Sequence, residues 1–181
     1  MKSSEFVYNH IVVMLFDIDQ TAFRRQDCIG VRLEDLKAHP KETIVALCNW
    51  MGVNEEESLY EMTAQGKKWW GDPSSPDYGK EGMSPFDKAA IKRPIGSIFS
   101  DQDQFILRTL FYPFRVRFGY AQEDHEEFKT DLQTIKPLLD EAFDFEKKLA
   151  ELSGMPLETF LRSALSVYFR ASLHDRWSVL A

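Results

Sequence analysis

Glycine and proline punctuate this chain unevenly, and their placement steers it toward a mostly helical fold. No glycine occurs before Gly30, while many of the glycines and prolines fall between Gly66 and Pro94. Elsewhere they stand where helices start and stop. Pro40 precedes Ile44, Leu47, Cys48 and Met51, an apolar face at helical spacing, and Gly52 supplies the stop. Proline suits a first turn because the N–H it lacks has no helical partner there, and glycine readily adopts the left-handed turn that ends a helix. Pro137 opens a second predicted helix, carrying Leu138, Leu139, Ala142, Phe145 and Leu149 and closed by Gly154. Pro156 opens a third, in which Leu157, Phe160, Leu161, Ala164, Leu165 and Tyr168 recur on one helix face. With Phe128, Leu132 and Ile135 forming their own stripe, the last third reads as entirely helical.

Helical spacing also links Ile11, Met14, Leu15, Ile18 and Ala22, which predicts a helix over residues 6–23. Cys28 to Leu33 is different: a short, largely apolar, β-rich run of the length expected for a buried parallel strand, with Glu34 and Asp35 at its carboxyl end. Arg32 and Glu34 alternate along that strand and are expected to share a face in a structural role. Glu55 to Met62 reads as a short helix. From Gly66 to Pro94 there is little periodicity, and long loops inside compact domains are usually functional or disordered. Ser100 with Asp103 three residues on has the pattern of a helix cap before Phe105, Ile106, Leu110 and Phe111. The expected fold is mainly α with one or two buried strands, divided into residues 1–120 and a helical extension over 121–181.

A chain of 181 residues with 44% hydrophobic content can bury one sizeable core. Its net charge of -7 argues against a general nucleic-acid or membrane-surface role, since phosphate backbones and anionic lipids reward basic patches. Charge is unevenly spread, with Lys67, Lys68, Lys80, Lys88, Lys92 and Arg93 in the middle and a crowd of carboxylates between Glu123 and Glu146. A polyanionic ligand would therefore be met locally. Cys28 and Cys48 read as buried thiols, and His10, His39, His125 and His174 lack metal-ligand spacing. The apolar run Ile11 to Phe16 is too short to span a bilayer and has no signal-peptide cleavage site, so a cytoplasmic protein is expected.

Five motifs in order carry a family resemblance: Gly30 to Leu36, containing Val31-Arg32-Leu33-Glu34-Asp35-Leu36; Pro40 to Gly52; Thr63 to Asp72; Arg93-Pro94-Ile95-Gly96; and Phe118-Gly119-Tyr120. Together they resemble the later half of a sulfotransferase that uses PAPS (3′-phosphoadenosine 5′-phosphosulfate), over roughly residues 5–120. In that family the strand ends in V-R-Y-E-D-L and an R-x-x-G segment follows. The resemblance implies the C-terminal part of an α/β P-loop-type sulfotransferase fold, and transfer of a sulfuryl group from PAPS to a hydroxyl or amine. It also implies that Arg93, Lys92 and Gly96 hold the 3′-phosphate of PAPS or its desulfated product PAP, and that Thr63 lies near the adenine. The residue types suit phosphate binding, because guanidinium offers a planar fork, ammonium a point charge, and glycine lets the backbone approach closely. Leu33 and Gln65 stand where many members have aromatic residues, and Pro94 follows the arginine. The family's phosphate loop, general base and sulfate-binding lysine lie upstream of the matched region, so no catalytic residue carries over. Alone, the chain is expected to be inactive: a truncated reading frame, an excised domain or one half of a split enzyme that pairs with the missing N-terminal half.

Two other readings compete. Ile11 to Thr21 contains Asp17-Ile18-Asp19-Gln20-Thr21, which resembles the D-x-D-G-T motif of haloacid-dehalogenase-like phosphatases, with Asp17 as nucleophile and Asp19 as acid/base around Mg²⁺. Gln20 in place of glycine, and the lack of a matching downstream motif, count against it. The non-enzyme reading is a helical interaction module, in which a strand without its neighbours drives homo-oligomerisation or partner docking.

Overall fold

The computed structural model describes residues 4–11, 28–61, 63–64, 67–68 and 98–181. The chain divides into two compact units, one formed by Met1–Cys28 with Arg93–Ala181 and the other by Ile29–Lys92. The described residues are predominantly helical, as the punctuation predicts. No helix among them is long and apolar enough to cross a membrane.

Helix α1 (Ser4–Ile11) belongs to the larger unit and is the described start of the predicted 6–23 helix, the remainder of which lies outside the described residues. The smaller unit holds α2 (Leu33–Ala38) and α3 (Pro40–Met51). Helix α3 buries Ile44 and Cys48, and at its end Gly52 has φ 69°. The Gly52 N–H donates to the Asn49 carbonyl (3.3 Å) and the Val53 N–H to that of Cys48 (3.0 Å), the paired bonds that cap a helix through a left-handed residue. The expected helix at Glu55 is a single 3-10 turn, Glu57–Tyr60. Strands β1 (Thr63–Ala64) and β2 (Lys67–Lys68) pair antiparallel.

The buried strand predicted over Cys28–Leu33 is not formed. Ile29, Val31 and Leu33 are 48%, 41% and 46% exposed, and Leu33 already starts α2. The two-residue β1–β2 pair is the only ladder among the described residues. A central strand is stable when neighbours satisfy its N–H and C=O groups and cover its faces. Here the backbone is extended at Arg32 (φ -76°, ψ 131°) and then turns helical, with Glu34 and Asp35 in the first turn, where carboxylates favour a helix N-terminus. Cys28 is exposed, against expectation, and Cys48 is buried.

The larger unit continues through α4 (Asp101–Leu110), α5 (Tyr112–Arg117) and α6 (His125–Ile135). A 3-10 segment (Lys136–Asp140) then leads to α7 (Asp144–Ser153), α8 (Leu157–Leu161) and α9 (Ala164–Leu180). Two predicted helices are thus each broken once. After Pro137 the chain makes only the 3-10 segment and restarts at Asp144; after Pro156 it breaks at Arg162–Ser163, and the Ser163 hydroxyl accepts the Ser166 N–H (3.3 Å) to begin α9. Gly154 closes α7 at φ 67°, as its position predicts.

Around one core Ile106, Leu110, Ile135, Leu139, Phe145 and Leu173 are sealed from water. Aromatic rings dominate its centre: Phe145 meets Tyr8, Phe169 and Phe99 edge-on at 5.8, 5.6 and 5.3 Å between centroids. Such pairs add about 0.5–1.5 kcal/mol each beyond the area they bury. Long polar side chains close the helix ends. Arg176 Nε donates to the Leu110 carbonyl (3.0 Å) and Trp177 Nε1 to that of Leu132 (2.9 Å), supplying partners to carbonyls near helix C-termini.

Candidate functional site

Of the four residues assigned to donor binding, Thr63 is within the described residues and Lys92, Arg93 and Gly96 lie outside them. Thr63 occupies β1 with Lys68 as its cross-strand partner, and Ala64 pairs with Lys67. Asp17 and Asp19, the phosphatase candidates, also lie outside the described residues.

Around the Val31–Pro40 motif, Arg32 Nε stands 3.4 Å from Asp35 Oδ2, one helical turn on. The Leu36 and His39 N–H groups donate to the Arg32 and Asp35 carbonyls (3.1 and 2.8 Å), so the motif is a short capped helix leading into α3. The strand face expected for Arg32 and Glu34 to share is not formed, because Glu34 stands in the first turn of α2.

Sequence reasoning missed a polar cluster, centred on Glu146, that is sealed in the core of the larger unit. Glu146 is fully buried in α7, within the acidic run. Its Oε1 accepts from the Tyr8 hydroxyl (2.7 Å) and the Ser166 hydroxyl (3.1 Å). Its Oε2 accepts from the Phe143 N–H (2.9 Å) and from the Arg170 guanidinium. Arg170 also donates to the Leu139 carbonyl (2.7 Å) and lies over the Phe143 ring at 4.8 Å. One carboxylate therefore ties α1, α7 and α9 together. Both oxygens are occupied by protein donors, so the cluster has no position for a substrate atom and its role is structural. Burial, followed by repulsion from the Glu146 carboxylate, pushes the Tyr8 phenol well above its ordinary range, although its Ser166 contact acts the other way. The only local sequence signal was the position of Glu146 three residues after Phe143, where a glutamate can reach back to a free N–H at a helix start.

Asp103 is a second buried carboxylate, 1% exposed. It forms the predicted cap with Ser100: Ser100 Oγ accepts the Asp103 N–H (3.1 Å) and Asp103 Oδ2 accepts the Ser100 N–H (3.0 Å). It also accepts the Asp144 and Phe145 N–H groups (2.9 Å each), capping α7 from α4. Phe143, which precedes α7, has no side-chain acceptor to do this itself. That is why the helix predicted from Pro137 restarts at Asp144.

An open groove of about 780 Å³ runs beside α6 and the end of α9, with Phe128, Leu132 and Leu180 as apolar lining and Lys129 and Glu126 among its polar residues. Lys129 is paired with Glu126 at 3.1 Å and no arginine lines the groove, so it does not present the fork that suits a phosphate. Among the described residues no group of histidine, cysteine or carboxylate side chains is arranged to hold a metal ion. No family model matches the chain, and neither the curated proteins nor the solved structures contain a match to it.

Proposed function

We propose that this chain is the later, 3′-phosphate-side portion of a PAPS-dependent sulfotransferase acting in the cytoplasm. The observation that carries the reading is the ordered motif series from Val31-Arg32-Leu33-Glu34-Asp35-Leu36 through the Pro40–Gly52 helix and Thr63 to Arg93-Pro94-Ile95-Gly96 and Phe118-Gly119-Tyr120. Two local features support it. Helix α3 begins at Pro40 and is stopped by Gly52, and Thr63 is paired with a lysine in a hairpin. In this reading Arg93 grips the 3′-phosphate through its fork, Lys92 adds charge, Gly96 admits the backbone to close approach, and Thr63 contacts the adenine. PAPS supplies the sulfuryl group. The residues of this chain bind and orient the donor, and a segment carrying the phosphate loop and general base completes the enzyme.

The test is calorimetric titration of the purified chain with PAP in phosphate-free buffer, beside an Arg93→Ala variant. Saturable binding lost in the variant upholds the donor site. Absence of binding by the folded protein refutes it.

A second reading, a non-catalytic interaction module that self-associates or docks a partner, is favoured by one observation. In the smaller unit Ile29, Val31, Leu33, Trp50, Met51 and Val53 are all 41% or more exposed. Sedimentation across a concentration series separates the two: a dimer that does not bind PAP supports the module.

A further inference from the structure

We draw no further inference here: the strongest candidate, the open groove beside α6 and the end of α9 lined by Phe128, Leu132 and Leu180, carries nothing because no feature of the structure shows what covers it.

Discussion

Replacing Glu146 with glutamine keeps the shape of the side chain and removes its charge, which makes it the sharpest probe of how the helical unit is held together. Four donors converge on the carboxylate: the Tyr8 and Ser166 hydroxyls on Oε1, and the Phe143 N–H and Arg170 on Oε2. An amide offers one oxygen and one NH₂ group, so whichever way it turns, two of the four donors meet a donor. Leaving a buried donor unpaired costs about 1–3 kcal/mol, and breaking a buried ion pair from one side costs about 3–5 kcal/mol. The Arg170 side chain is 19% exposed and can recover water, and the two hydroxyls can rotate, so the lower part of these ranges applies. The expected loss is about 3 kcal/mol, a large share of the roughly 5–15 kcal/mol that holds a typical domain together. Urea unfolding at pH 7, followed by circular dichroism, measures it. A cycle with Arg170→Met and the double variant isolates the pair; a coupling of about 1 kcal/mol or more is expected. A Glu146→Gln protein within about 0.5 kcal/mol of wild type, or strict additivity in the cycle, would refute the assignment of Glu146 as the tie between the three helices.

Two further outcomes follow from the same structure. Because the folded-state pKa of Tyr8 is raised above the ordinary value of 10.0, its contribution to stability is complete below about pH 10 and is lost as pH rises beyond it. Tyr8→Phe should therefore cost about 1–2 kcal/mol at pH 7 and flatten the alkaline fall in stability above about pH 10, as read by urea midpoints on either side of that pH; an unchanged alkaline slope would contradict it. Gly154→Ala meets no atom within 4 Å of the new methyl, so its whole effect is the φ of +67°, and an equilibrium loss of about 1 kcal/mol should appear in chemical unfolding.

The parts of the fold legible in the sequence are those whose cause lies within one helical turn. Ser100 and Asp103 announce α4 because their reciprocal bonds span three residues, and Gly52 and Gly154 announce helix ends because the left-handed turn is a property of the residue itself. The apolar stripe of Phe128, Leu132 and Ile135 predicts α6, two members of which are fully in the core. For the candidate site, the residue types and their order came from the sequence, while the described structure contributes the register that sets Thr63 against Lys68.

Tertiary structure decided what depends on partners far along the chain. The break before α7 is made by Asp103, whose bonds to the Asp144 and Phe145 N–H groups span 41 and 42 residues. Glu146 belongs to an acidic run in the sequence, yet it is sealed in the core because Tyr8, 138 residues away, and Ser166 and Arg170 on α9 supply the donors that offset its desolvation. The apolar run Ile29–Leu33 carried a strand pattern, but a strand is completed by its neighbours and not by its own side chains. Local sequence sets which conformations are cheap; burial and long-range hydrogen bonds select among them, because only they change how much water each polar and apolar group gives up.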